Sequence, residues 1–365
     1  MPDTPSPLID APDLRARIQG VVDAFLTQQG ALMATVGPDI APLVESVTAL
    51  LSGGKRLRPG FCYWGWRGAA PVDQLADPEF ETGVIQAASA LEFLQACALI
   101  HDDVMDSSDT RRGAPSAHRQ FAAIHRGQQW VGDPERFGEG AAILLGDLCL
   151  SWADELLLTA ALPQQNLNGA KNVYNEMRTE LMAGQYLDLL EQARGGGCVD
   201  RALTVVRYKS AKYTIERPLH IGAAIACAPE SVFTAYTVYG LPLGEAFQLR
   251  DDILGVFGDP EVTGKPAGDD LREGKRTVLI AIASERASAA QLQELRENLG
   301  DQHLQIDGVN KLREIIESTG ALAHTETLID QLLEQALTAL QSPELDPTAV
   351  TALTDLAHAA TRRKV

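Results

Sequence analysis

Two short acidic segments have the residue types and spacing for chemistry. They are Leu99-Ile100-His101-Asp102-Asp103-Val104-Met105-Asp106 and Phe247-Gln248-Leu249-Arg250-Asp251-Asp252-Ile253-Leu254-Gly255. Each ends an apolar stretch of helical period with a pair of aspartates. Asp102 and Asp106 are four apart, so they share a helical face about one turn, roughly 5.4 Å, from each other. Carboxylates that close repel and are costly in apolar surroundings. A divalent cation removes the conflict. Hard oxygen ligands suit Mg²⁺, which combines a few carboxylates with water and substrate phosphates. For one such segment, solvated acids at a helix end are an equal alternative. The recurrence after a second apolar helix favours the metal. A calcium loop fits less well, because the EF-hand spacing is missing.

A metal held by aspartates needs an anionic substrate. Gly53-Gly54-Lys55-Arg56-Leu57-Arg58-Pro59 sets three cations beside two glycines. Glycine lets the backbone approach an anion, and Arg grips phosphate oxygens in bidentate fashion. No GxxxxGK[ST] loop occurs. Arg111-Arg112-Gly113 follows the first acidic cluster, and Lys265 and Lys275 flank Gly268-Asp269-Asp270 after the second. This interleaving suits two diphosphates, one carried by Mg²⁺ and one held by cations alone.

The elements that must position these groups read as helices. Apolar residues recur three and four apart, as in Leu43, Val47, Leu50 and Leu51 and in Leu181, Leu187 and Leu190. Breaks are expected at Ser52–Gly54, Gly68–Pro78, Ser107–Pro115, Gly132–Gly140, Gly195–Asp200, Gly258–Gly274 and Ser342–Pro347, with further ones at Pro163 and Pro218. Val84–Ile100 and Ala141–Leu158 are apolar nearly all round, which predicts burial on every side. The expected architecture is all-α: a single large helical domain over 13–365 with central helices ringed by amphipathic ones. Residues 1–12, rich in Pro and Asp, read as a flexible N-terminal tail without a signal-peptide pattern.

With 365 residues and 45% hydrophobic content, a large core is feasible. Thirty-one basic against 49 acidic residues give a net charge of −18, which disfavours nucleic acid and anionic membrane surfaces as partners. Cys62, Cys97, Cys149, Cys198 and Cys227 form no CxxC pair and fit a reduced, cytoplasmic protein better than a disulfide frame or zinc site. The best candidate membrane span, Ala141–Leu162, is broken by Asp147, Asp154 and Glu155, so no transmembrane segment is expected.

Taken together, GGKRLRP at 53–59, HDDVMDSSDTRRG at 101–113, FQLRDDILGVFGD at 247–259 and GKPAGDDLREGK at 264–275 resemble the motifs of the trans-isoprenyl diphosphate synthases, the polyprenyl synthetase family, in that family's order. The likeness spans roughly residues 20–340. HDDVMDSSDTRRG is most similar to the actinobacterial geranylgeranyl diphosphate synthases. The resemblance implies the isoprenoid synthase fold, with helices bundled around an apolar cavity, and a homodimer. It also implies three Mg²⁺ per active site. Asp102 and Asp106 would bind two on the allylic diphosphate, with Asp103 supporting, and Asp251, with Asp252 close by, the third. Arg111, Lys209, Gln248, Lys265 and Lys275 would contact the allylic diphosphate or its metals. Lys55, Arg58 and Arg112 would bind isopentenyl diphosphate, with Gln95 standing where the family often has His. Gly255 stands where the second acidic motif often closes with Asp, which touches the outer part of the third metal site. The family's Lys-Thr pair is represented by Lys209-Ser210, with Lys212 the alternative to Lys209.

The implied reaction breaks an allylic C–O bond, and Mg²⁺ with Lys209 and Lys265 would stabilise the departing diphosphate. No Ser, Cys or His nucleophile is required, so Cys97 and His101 read as structural. Product length should depend on the wall before Asp102, formed by Leu94, Cys97 and Ala98. Small residues at 97 and 98 favour a twenty-carbon product, geranylgeranyl diphosphate. A longer-chain synthase, a terpene cyclase-like or head-to-head enzyme, and a non-catalytic subunit of a heteromeric synthase are the alternatives.

Overall fold

The computed structural model describes residues 14–195, 197–259 and 268–361. Lys265 and the tail expected at 1–12 lie outside the described residues. The chain forms two compact units, Met1–Asn172 with Pro218–Ala228, and Val173–Arg217 with Pro229–Val365.

The first unit holds α1 (Leu14–Ala34), α2 (Ala41–Leu51), α3 (Leu57–Arg67), the single turn α4 (Val72–Leu75) and α5 (Pro78–Met105). A two-residue hairpin follows, in which β1 (Thr110–Arg111) pairs antiparallel with β2 (Ala114–Pro115). Then come α6 (Ala117–Gly127), α7 (Pro134–Leu158) and the start of α8 (Gln164–Arg194). Helix α5 is its axis. Asp77 caps it by accepting from the N–H groups of Glu79 and Phe80, and Pro78 presets its first turn. An aromatic cluster of Phe25, Phe93 and Trp152 locks α1, α5 and α7 together, with ring centroids 5.1–6.4 Å apart.

The second unit holds the rest of α8, α9 (Val199–Val205), a π-wound segment (Val206–Glu216), α11 (Glu230–Phe257), α12 (Asp269–Glu273), α13 (Val278–Arg286), α14 (Ala289–Asn298), α15 (Ile306–Ser318), α16 (Ala321–Ala339) and α17 (Pro347–Thr361). Helix α10 (Arg217–Ile225) returns the chain to the first unit. The core of the second unit gathers Leu249, Ile253 and Val256 of α11 with Leu279, Ile282, Leu312, Ile316 and Ile329. Ser288 and Gln291 form a reciprocal capping box at the start of α14.

The all-α expectation holds, the hairpin being the only strand pair among the described residues. Several local expectations change. The break at Gly132–Gly140 shrinks to its first two residues, since Asp133 caps a helix that Pro134 opens. Gly138 instead packs against the His118 carbonyl, where a side chain would not fit. Pro218 does not interrupt the chain; it sits where the winding changes. Having no N–H, it cannot join the hydrogen-bond ladder, and Arg217 before it donates to Lys212 O, five residues back. Helix α7 buries one face only. Leu145, Cys149 and Trp152 are buried, while Ile143 and Leu144 are 47% and 66% exposed. The described helix nearest in length and hydropathy to a membrane span is α5, not 141–162, and 78% of its most apolar window is buried inside the structure. Cys62, Cys97 and Cys149 are core residues, but Cys198 is half-buried and Cys227 exposed.

Candidate active site

In the first unit the acidic motif occupies the last turn of α5, with Asp106 as its C-cap. Asp103 and Asp106 are buried and Asp102 half-buried. The hairpin that follows turns Arg111 back onto this helix end. Its Nε donates to both Asp103 oxygens at 3.0 and 3.2 Å, and its guanidinium lies 3.9 Å from Asp102. The middle aspartate is thus committed to an arginine, while Asp102 and Asp106 flank it.

Arg112, in the left-handed region at φ 54°, points the other way along the hairpin. It donates to the carbonyls of Leu50 at 2.8 Å and Gly53 at 3.3 Å and lies beneath Gly54. This places it at the Gly53–Pro59 loop. Desolvation against that loop lowers its pKa. Glu92 opposes the shift, and Arg56, Arg111 and Arg58 add to it. Several guanidiniums therefore share one neighbourhood around Glu92, which is an anion-receiving arrangement. Arg56, at φ 52°, is buried and paired with buried Glu92, and also donates to Gln19 and the Leu51 carbonyl. Those bonds hold a backbone conformation costly for a side chain with a Cβ. Lys55 is exposed and Arg58 half-buried on the same loop, and Gln95 is half-buried on α5.

Behind the aspartates, Leu94 and Cys97 are fully buried and Ala98 half-buried. Ala98 and Leu94 line up with Asp102. Cys97 lines up with His101, its Sγ 3.7 Å from Nδ1 on the side facing α7. His101 Nε2 donates to the Ile143 carbonyl at 3.0 Å, and Gly146 leaves the ring its space. Burial pushes the Cys97 thiol up to about 12, so it is no nucleophile near neutral pH. Cys97 and His101 pack α5 on α7, as the sequence suggested.

In the second unit the acidic motif lies in the last two turns of α11. Buried Asp252 accepts from Gln248 Nε2 at 2.8 Å, and Gln248 in turn accepts from Ser210 Oγ. The other Asp252 oxygen, Oδ2, is buried without a hydrogen-bond partner. Burial raises the Asp252 pKa to about 8; nearby Asp270 and Asp251 add to this, and Gln248 and Lys275 oppose it. A buried acceptor lacking a donor beside two more carboxylates fits a cation. Lys275 lies 2.7 Å from Glu273 and 3.6 Å from Asp270. Lys209 donates to Asp188 at 2.6 Å. Lys212 pairs with Glu180, lies 3.9 Å from Glu216, and sits over the Tyr208 ring. The π-wound segment carrying both lysines is approached closely by two glycines. A Cβ at Gly184 would overlap the backbone of Lys209, and one at Gly244 would lie 2.6 Å from the Cα of Ala211.

Among the described residues no three His, Cys, Asp or Glu side chains converge to hold a metal by themselves. Each acidic helix end therefore needs ligands from elsewhere, and Mg²⁺ ordinarily takes them from phosphate and water. Sequence reasoning missed Asp188 and Glu92, and gave Asp270 no role of its own although it stands in the GKPAGDDLREGK motif. Of the two missed, only Asp188 left a local sign, a lone acid inside the apolar run Leu187–Leu190.

Residues 41–316 match the family model described as Polyprenyl synthetase. A geranylfarnesyl diphosphate synthase of Aeropyrum pernix is 32% identical over 294 residues, 80% of this chain and 84% of that protein. A (2E,6E)-farnesyl diphosphate synthase of Mycobacterium bovis is 30% identical over 308 residues, 84% and 78% of the two chains. A Corynebacterium glutamicum geranylgeranyl pyrophosphate synthase, solved with isoprenyl diphosphate and magnesium, superposes with a TM-score of 0.92. It shares 41% identity, over 96% of this chain and 99% of its own.

Proposed function

The chain belongs to the polyprenyl synthetase family and is a trans-prenyltransferase making prenyl diphosphates, and from that premise we propose that it condenses isopentenyl diphosphate with allylic diphosphates, head to tail, to geranylgeranyl diphosphate. The observation that carries this reading is the layout of the first unit. Carboxylates Asp102 and Asp103 stand beside Arg111, Asp106 caps the same helix end, and Arg112 is folded onto the Gly53–Pro59 loop. One diphosphate would be taken through metal and the other by cations. A terpene cyclase-like or head-to-head enzyme needs no such cationic loop, and a non-catalytic subunit is expected to lack the acids of one motif, whereas both pairs are present here.

Asp102 and Asp106 would hold magnesium on the allylic diphosphate, and Asp251 and Asp252 a further ion, three per site in all. The partnerless Asp252 oxygen supports that assignment. Bound magnesium supplies charge stabilisation to the departing diphosphate. Lys209 and Lys265 would neutralise the same growing charge, and Arg111, Gln248 and Lys275 would orient it. Lys212, tied to Glu180 and Glu216, is the weaker choice beside Lys209. Lys55, Arg58, Arg112 and Gln95 would hold the second diphosphate. The proton lost in the condensation goes to the departing diphosphate. Water must be kept from the allylic cation, and the apolar helix faces supply that exclusion.

Half-buried Ala98 in line with Asp102, with closed Leu94 one turn further, supports a wall that stops chain growth near twenty carbons. The 41% identity to a geranylgeranyl synthase supports the same length. Residues 13–365 would serve as one polyprenyl synthetase domain. The exposed Ile143 and Leu144 of α7 support a homodimer paired through that helix, and the free cysteines fit a cytoplasmic setting.

The test is incubation of the purified chain with isopentenyl diphosphate and each allylic starter, with products resolved by chromatography. A twenty-carbon diphosphate is expected, and cyclised or head-to-head products would refute the reading. Ala98→Phe should shorten the main product. An unchanged product would show that Ala98 is not the wall.

A further inference from the structure

We propose that Arg56 is a positioning residue for the second diphosphate site: buried and bound on three sides, it fixes the loop from which Lys55 and Arg58 would meet isopentenyl diphosphate. Arg56 is 5% exposed and its guanidinium is already committed within the protein, so it does not itself reach the substrate. Nη1 donates to Glu92 of α5. Nη2 donates to Gln19 of α1 and to the carbonyl of Leu51, the last residue of α2. One side chain thus joins three helices beneath the loop.

The loop needs that anchor. Gly54 takes φ 124° and Arg56 φ 52°. Glycine enters such regions freely, whereas an arginine stays there only when its surroundings hold it. Arg56 is also the N-cap of α3, without a side-chain cap, and its carbonyl accepts from the Gly60 N–H at 2.9 Å. Its conformation therefore sets where the first turn of α3 begins, and Arg58 stands in that turn. From the other side Arg112 donates to the Leu50 and Gly53 carbonyls, so the loop is clamped at both ends. Glu92 lies three residues before Gln95 on α5, which makes the two helical neighbours. The buried Arg56–Glu92 pair thus ties the loop to the stretch of α5 that carries Gln95. Glu92 also offsets the repulsion that Arg56 and Arg58 exert on Arg112.

The inference rests on the proposed condensation and deepens its isopentenyl diphosphate site. Initial rates are measured for wild type, Arg56→Lys, Arg56→Gly and the double variant Arg56→Gly/Glu92→Gln. Isopentenyl diphosphate and the allylic starter are varied in turn, and stability is followed by denaturant unfolding. Arg56→Gly adopts the left-handed backbone without steric cost and loses only the anchor. Its KM for isopentenyl diphosphate should rise about tenfold, more than kcat falls, with the allylic KM within about twofold of wild type. Arg56→Lys keeps a charge opposite Glu92 but reaches fewer partners, and should recover part of that loss. The double variant no longer buries an uncompensated carboxylate, so it should regain stability while its KM stays raised. It also carries the test if Arg56→Gly does not fold. A wild-type KM for isopentenyl diphosphate in Arg56→Gly or in the double variant overturns the proposal alone, as does an equal rise of both KM values. A wild type that condenses isopentenyl diphosphate with no allylic starter overturns it together with the function it rests on.

Discussion

At the end of α5 the middle aspartate is neutralised by the protein itself, through Arg111 on the hairpin. Among the described residues, the corresponding aspartate at the end of α11 has no arginine paired with it, and Lys275 acts on it only through space. The arginine within that motif, Arg250, turns away to Glu326, at 2.7 and 2.5 Å, and to the Thr361 carbonyl at 2.9 Å. It ties α11 to α16 and α17 and leaves Asp252 with a glutamine. The same aspartate pair is thus built once with an arginine hydrogen-bonded to its second member and once with a glutamine there, Lys275 acting on Asp252 only through space. A buried carboxylate without a directly bonded counter-charge destabilises the metal-free state and rewards any cation that arrives.

The contrast can be broken most forcefully by removing a ligand. Asp102→Ala should lower turnover by about a thousandfold or more at saturating Mg²⁺, since charge stabilisation of the leaving group is lost. Steady-state kinetics with labelled isopentenyl diphosphate measures it, and a near-normal rate would refute the metal assignment at α5. Arg111→Met should cost about 3 kcal/mol of stability by leaving Asp103 buried and unpaired. Denaturant unfolding reads this, and a loss below about 1 kcal/mol would mean that the balance at α5 comes from elsewhere.

A smaller effect sharpens the other side. Asp252 has a folded pKa of about 8 against an ordinary 3.8, so its protonated form is favoured by folding. Its contribution to stability is full below about pH 4 and is lost as pH rises toward 8. Asp252→Asn should therefore melt progressively higher than wild type as pH increases through that window, measured without metal. A melting difference independent of pH would show that Asp252 is already charged and compensated. Smallest of all, Lys212→Met should change turnover by only a few-fold, while Lys209→Met should reduce it about a hundredfold. Equal losses would reverse the choice between them.

The helical class, the places of both acidic motifs and most breaks were legible because they are local. Period and i to i+4 spacing are written in neighbouring residues, and so is the Gly68–Pro78 break that holds the Asp77 cap. Which side of α7 stays exposed, why Pro218 changes the winding, and where Arg111 and Arg112 part company depended on packing partners far along the chain. So did the pairings of Glu92 with Arg56, of Asp188 with Lys209, and of Asp270 with the space at Gly255. A glycine in a sequence states only that a side chain is missing. What comes to occupy its place is decided when separate segments are brought into van der Waals contact, and that information exists only in the fold.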